Sequence, residues 1–234
     1  SPLLIVVSGM ILIFDGRPIF FRQTRVGMNG ADFILYKFRT MRVIRGAASG
    51  TFDAGDSSRI TKIGAFLRKT KLDELPQLWN VFIGDMSFVG PRPEVRKWVD
   101  AYPERWAKVL TVKPGITDFA SIVFADEGAI LEGHDDPDIA YNQLIRPGKS
   151  RLGLFYIEHS SPGVDLRICW LTALAVVSRE RALQGVSQLL TSLGATSELI
   201  ELASRRSELQ PSPPPGSLHI VTSRDQSPLE LESV

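Results

Sequence analysis

The chain is poor in the groups that most directly mark a function. It holds one cysteine, Cys169, in 234 residues. An intramolecular disulfide is therefore impossible, and a reducing compartment is expected. Of its three histidines, neither His159 nor His219 has a second ligand at metal-site spacing. Net charge is almost nil, 27 bases against 26 acids, so the overall balance names no partner. Long apolar runs are missing too. The most apolar stretches, residues 3–14 and 166–177, would rise ~18 Å as helices, against a hydrocarbon core of ~30 Å. Neither can span a bilayer alone. There is no basic start and no small-residue cleavage site before Asp15, which excludes a recognisable signal peptide. The sequence begins at Ser1 without a methionine, as a fragment would. It shows no internal repeat and no recognised nucleic-acid motif, so no nucleic-acid partner is expected.

What is present is unevenly distributed. At 44% hydrophobic, the chain can build one large domain or two small ones. Residues 17–71 hold twelve Lys or Arg and only three Asp or Glu, a local positive field suited to phosphates or anionic headgroups. PIFFRQTRVG, then MNG, then ADFILYKFRTM predicts a hairpin turning at Asn29-Gly30. Alternation would put Phe33, Leu35, Lys37, Arg39 and Met41 on one face. Residues 42–58, rich in Gly, Ser and Ala, read as a mobile loop. Over 59–70, Ile60, Ile63, Phe66 and Leu67 recur at helical spacing, and Leu72, Leu75, Leu78, Trp79 and Phe82 continue the apolar stripe. Trp98, Tyr102 and Trp106 are spaced four apart around Pro103, as core or as an interfacial aromatic belt. RICWLTALAVV suggests a buried structural thiol at Cys169. EGHDDPD (132–138) could ligate a metal but reads better as an exposed acidic loop capping the next helix. Beyond Gln210 the proline-rich polar composition predicts disorder.

One stretch raises a chemical question. KLDELPQLW (71–79) sets Asp73 beside Glu74, after Arg68, Lys69 and Lys71 and before Pro76. Proline is tolerated in the first helical turn, so Asp73 can be an N-cap with Glu74, Leu75 and Pro76 as the first helical residues. The same geometry also suits chemistry. A helix start ringed by bases keeps an acid ionised, hence nucleophilic or able to hold a metal. Paired acids with several cations are the kit for phosphoryl transfer. In GDMSFVGPRP (84–93), two prolines stiffen the loop around Arg92, which either presents that guanidinium or makes an ordinary turn.

YKFRTM (36–41), RITKIGAFLRKTKLDELPQLWNVFIGDMSFVGPRP (59–93) and VKPGIT (112–117) resemble the bacterial sugar transferases called monotopic phosphoglycosyl transferases. The likeness covers roughly residues 1–177. Ser1-Pro2 is similar to that family's break in a re-entrant membrane helix. The resemblance implies an α+β, helix-dominated monotopic membrane enzyme. It would have a re-entrant N-terminal helix partly absent here, a small β-hairpin and interfacial amphipathic helices. Residues 1–14 would be the second arm of that helix, 15–177 the catalytic domain, 178–210 a helical extension and 211–234 a disordered tail.

By the same resemblance, Asp73 would be the nucleophile that forms a phosphosugar-aspartyl intermediate. Glu74 would be its dyad partner, and the two acids would hold Mg²⁺. Lys37, Arg39, Arg59 and Arg68 would bind substrate phosphate, and Arg92 would serve the nucleotide-side loop. Substrates would be a nucleotide-diphosphate sugar and a polyprenyl phosphate, with membrane lipids around them and a homodimer as a further possibility. The setting would be the cytoplasmic face of a bacterial inner membrane. The product would start exopolysaccharide, capsule, O-antigen or glycoprotein assembly. The pattern departs near Phe124-Ala125, where many members of that family carry an arginine that reaches phosphate. A competing reading is a catalytically silent membrane-bound module that binds either substrate; the intact acid pair favours the enzyme.

Overall fold

The computed structural model describes residues 2–43, 57–101, 103–214, 219 and 220. The expected loop at 42–58 and tail at 211–234 lie largely outside the described residues. The fold is a helix-dominated α+β arrangement in two compact units, which part between Thr117 and Asp118, within the stretch 15–177 expected as one domain. Among the described residues, no helix is long and apolar enough to cross a membrane.

The first unit opens with α1 (Pro2–Phe14). Only Val7 and Ile11, an i,i+4 pair, are buried on it, packed against Phe38 and Leu67. Ile5, Ile13 and Phe14 on the same helix stay exposed. The hairpin forms as the pattern predicts. β1 (Phe20–Val26) pairs antiparallel with β2 (Asp32–Phe38) through a turn in which Asn29 and Gly30 both take positive φ. Phe33 and Leu35 enter the core with Met86. Strand β2 ends at Phe38, however, so Arg39 lies past it and Met41 makes only an isolated bridge to Ile60. The expected shared face therefore stops at Lys37.

Helix α2 (Lys62–Thr70) starts at Thr61, whose hydroxyl accepts from the Gly64 amide at 2.8 Å. A Cβ on Gly64 would stand 2.0 Å from the Thr40 carbonyl oxygen, so only glycine lets α2 seat on the exit of β2. The unit continues through α3 (Gln77–Phe82), β3 (Ser87–Val89), α4 (Arg96–Ala101), α5 (Pro103–Val109) and β4 (Gly115–Thr117). Strands β3 and β4 pair in parallel, which the sequence pattern did not predict. Trp106 is core: it packs with Val26 and Val99, and its Nε1 donates to the Trp98 carbonyl at 3.1 Å. Tyr102 lies outside the described residues.

The second unit is helical: α6 (Phe119–Val123), α7 (Glu127–Leu131), α8 (Pro137–Ala140), a π-turn at Tyr141–Ile145, α9 (Arg146–His159), α10 (Pro162–Val177), α11 (Arg179–Ser192) and α12 (Ser197–Ser204). Asp118 and Ser121 form a capping box at α6. Asp136 accepts from the amides of Asp138 and Ile139, so the acidic run 132–138 caps α8. Ala182, Leu183, Val186, Leu189 and Leu190 of α11 are buried, so the extension 178–210 is built into this unit's core. Asp126 binds Arg179 at 2.8 Å and Arg205 at 3.3 Å, tying both ends of that extension to the residues after α6. On α10, Leu166, Trp170 and Val177 are exposed, and Cys169 is partly rather than fully buried.

Candidate active site

The acid pair sits on a short turn between two helices. Helix α2 ends at Lys71, which takes a left-handed φ of 59°. Leu72–Glu74 then form one 3₁₀ turn, and Pro76 stands at the N-cap position of α3. This corrects the expected cap. An N-cap Asp73 would serve the amides of Leu75 and residue 76. The Leu75 amide already donates to the Leu72 carbonyl at 3.2 Å, and Pro76 has no N–H. The Asp73 carboxylate has no such role. The residue is 9% exposed, and its Oδ1 is buried without a hydrogen-bond partner.

From Leu72 to Phe82 the chain is amphipathic in the reverse sense. Buried positions are Asp73, Pro76, Gln77 and Asn80, an i, i+3, i+4, i+7 set with three polar members. Leu78, Trp79 and Phe82 face out, Phe82 at 80% exposure. The predicted apolar stripe is real, but this part of it points away from the core. Asn80 fastens the buried side to β2. Its Nδ2 donates to the Ile34 carbonyl at 2.7 Å, and its Oδ1 accepts from the Tyr36 amide at 3.2 Å.

Of the predicted bases, Lys37 and Arg92 meet at Glu74. Lys37 Nζ donates to Glu74 Oε1 at 2.9 Å, and both terminal nitrogens of Arg92 reach the same oxygen at 3.1 Å. Burial pushes the Glu74 carboxyl up, but Lys37, Arg92 and Lys71 together outweigh it and hold it well below the usual carboxylate range. Burial, reinforced by the charge of Arg92, lowers Lys37 to about 8 despite Glu74 beside it. Burial raises Asp73, against the pull of Lys37. The two neighbouring acids are thus pushed apart: Glu74 is the fixed anion of the cluster, and Asp73 is a desolvated carboxylate with a free oxygen.

The other predicted bases occupy different places. Arg68 Nε donates to the Thr40 hydroxyl at 2.9 Å. Arg59 donates to the Arg42 carbonyl at 3.3 Å. Arg39 is buried, and its Nη2 donates to the carbonyls of Asp15 at 2.6 Å and Gly16 at 2.9 Å, the exit of α1. Asp15 Oδ2 in turn accepts from the Thr61 hydroxyl at 2.6 Å, the group that caps α2. Arg39 and Asp15 thereby bind α1, β2 and α2 into one junction ahead of the acids. Sequence reasoning counted Lys71 among the bases around the acids but gave it no site role; it missed Asn80 as the anchor of α3, and Asp15. The basic run before Asp73 was the available signal for Lys71; Asn80 and Asp15 left none.

Among the described residues, no three His, Cys, Asp or Glu side chains group as a metal cage. Magnesium does not need one, because it commonly uses one or two carboxylates with substrate phosphates completing its shell. The unpartnered buried Oδ1 of Asp73 beside Glu74 fits that donor set.

A desolvated free carboxylate, a second acid clamped by two cations and a surrounding positive field are the parts that phosphoryl transfer uses. The class, that of the phosphoglycosyl transferases, comes from the chain's relatives. The chain belongs to the bacterial sugar transferase family, whose model matches residues 1–179. It is 36% identical over 180 residues to the uncharacterized sugar transferase EpsL of Bacillus subtilis, covering 77% of this chain and 80% of that one. It is also similar to a UDP-glucose:undecaprenyl-phosphate glucose-1-phosphate transferase of Xanthomonas campestris pv. campestris, 36% identical over 77% of this chain and 36% of the relative. A UDP-N-acetylgalactosamine-undecaprenyl-phosphate N-acetylgalactosaminephosphotransferase of Aeromonas hydrophila is 37% identical over 76% of this chain and 40% of the relative. The chain thus spans most of EpsL but well under half of the other two.

Proposed function

We propose that this protein moves a sugar-1-phosphate from a nucleotide-diphosphate sugar, a UDP-sugar by the names of its relatives, onto a polyprenyl phosphate. The observation that carries the reading is the orphaned Oδ1 of Asp73, a buried carboxylate oxygen held free while Glu74 takes up Lys37 and Arg92. A silent binding module would have no need to keep a desolvated acid unpaired.

In the first step a carboxylate oxygen of Asp73 attacks the phosphorus that carries the sugar. The bond from that phosphorus to the bridging oxygen breaks, and nucleoside monophosphate leaves. In the second, a phosphate oxygen of the polyprenyl acceptor attacks the same phosphorus. The acyl–phosphate bond breaks, the carboxylate is restored, and polyprenyl diphosphate sugar departs. Lys37 and Arg92 offset the charge that two anionic substrates bring together. Mg²⁺ held by Asp73 and Glu74 with substrate phosphates would supply further charge neutralisation. Arg68, Arg39 and Arg59 would serve as phosphate contacts or as struts for the residues that make them.

With a lipid acceptor the site would work at a membrane surface, which this reading takes to be the cytoplasmic face of a bacterial inner membrane, where glycan or exopolysaccharide assembly would start. Supporting this, the first unit exposes apolar side chains on α1 and α3, and the second unit exposes them on α10. A panel of UDP-sugars with undecaprenyl phosphate and Mg²⁺ tests the reading by UMP release. One sugar should give turnover that requires the lipid, with a single burst of UMP when the lipid is omitted. Release of free sugar, or no UMP with any sugar, would overturn it.

A further inference from the structure

Gln77 is a polar residue that neither the fold nor the steps above use. It is 2% exposed, and its Nε2 is buried without a hydrogen-bond partner. Leaving a buried amide donor unpaired is costly, so the fold retains an unfavourable group at this position. Gln77 lies on the inward polar face of the 72–82 segment, one turn after Asp73 and one turn before Asn80. Both flanks of that face are anchored to β2, through Glu74 on Lys37 and through Asn80 on Ile34 and Tyr36. The two members left over are Asp73 Oδ1, an acceptor, and Gln77 Nε2, a donor, and they do not bond to one another.

We propose that Gln77 is a substrate-binding residue of the phosphoryl site: its side-chain amide donates to a non-bridging oxygen of the sugar-1-phosphate as that group transfers to Asp73. The assignment rests on the function proposed above and deepens it. Residue chemistry favours a phosphoryl oxygen as the acceptor. The nucleophile attacks phosphorus, so phosphoryl oxygens come within reach of groups on the same helical face. A lysine at position 77 would pair with Asp73 and quench the nucleophile; a carboxylate would repel the incoming phosphate. A neutral donor avoids both, and adds directional stabilisation where negative charge builds.

The test compares full-length wild type, Gln77→Met and Gln77→Glu in detergent, by UMP release and by thermal melting. Gln77→Met keeps the shape and removes the orphaned amide. It should melt at or above the wild-type temperature while kcat/KM falls roughly 10²-fold, the usual loss for one such donor. Gln77→Glu should fall further. Wild-type kcat/KM in Gln77→Met would overturn the proposal. So would a lower melting temperature with activity merely tracking the folded fraction, the signature of a packing role. A wild-type enzyme that releases no UMP with any sugar would instead bring down the parent reading, and this assignment with it.

Discussion

Asp73→Asn separates chemistry from architecture because the structure assigns its carboxylate no architectural bond. As an N-cap, Asp73 would contribute about 1 kcal/mol, a contribution that asparagine would preserve. In the structure it caps nothing, so no capping energy is at stake. The substitution removes a buried charge with one unpartnered oxygen. Asparagine leaves a polar group in place, so relief of the buried charge is set against lost attraction to Lys37, and the variant should melt within a few degrees of wild type. Activity should not be spared. Losing a covalent nucleophile costs roughly 10⁴-fold or more, equivalent to over ~5 kcal/mol of barrier. The assay pairs melting curves with UMP release, then quenches wild type with UDP-sugar alone and digests it. The phosphosugar should reside on the tryptic peptide 72–96, which runs through Arg92 because Pro93 follows it. A folded Asp73→Asn enzyme within tenfold of wild-type turnover would refute the nucleophile, and so would an adduct mapped to another peptide.

Two further outcomes follow from the charges. Lys37 titrates near 8, below its ordinary range, so its cation is present below that pH and lost above it. Turnover should fall as pH rises through about 8, and Lys37→Arg should shift that limb upward. Stability should move the other way, because between about 8 and 10.5 the unfolded chain holds the extra proton and the fold gains as pH rises. A rate that stays flat to pH 9.5 would contradict this use of Lys37. Asp126→Ala should destabilise the second unit by about 1–2 kcal/mol, since it leaves Arg179 and Arg205 facing each other without their shared acid, in a setting only partly buried. An unchanged melting profile would show that the triad does not hold the extension.

Much of this was readable beforehand, and the failures have separate causes. The hairpin was legible because Asn29-Gly30 tolerates the positive φ that a tight reversal needs. The acid pair was legible as chemistry but misplaced as a cap. Where α2 stops depends on Lys71 entering the left-handed region, and a lysine gives no warning of that. Periodicity found the apolar stripe through Phe82 but not its direction, since a period of 3.6 is the same whichever face is buried. Arg39 was assigned to Lys37's face by alternation, but alternation ends where the strand ends, one residue earlier. Strands of three residues, such as β3 and β4, are too short to show a pattern at all. The pairing of Arg205 with Asp126 joins residues 79 apart in the chain, beyond any local signal.

The junction at Asp15 also has a mechanical meaning. Helix α2 is pivoted at Thr61 by Asp15 and carries the acid turn at its far end. Its nine residues make an arm of about 14 Å. Rocking such an arm by ~5° at the pivot sweeps its tip through about 1.2 Å, and displacements of that size at a reacting centre can cost ~10²-fold in rate. The position of the acid turn is therefore set in part at the base of the lever, where one carboxylate and one buried guanidinium tie α1 to α2.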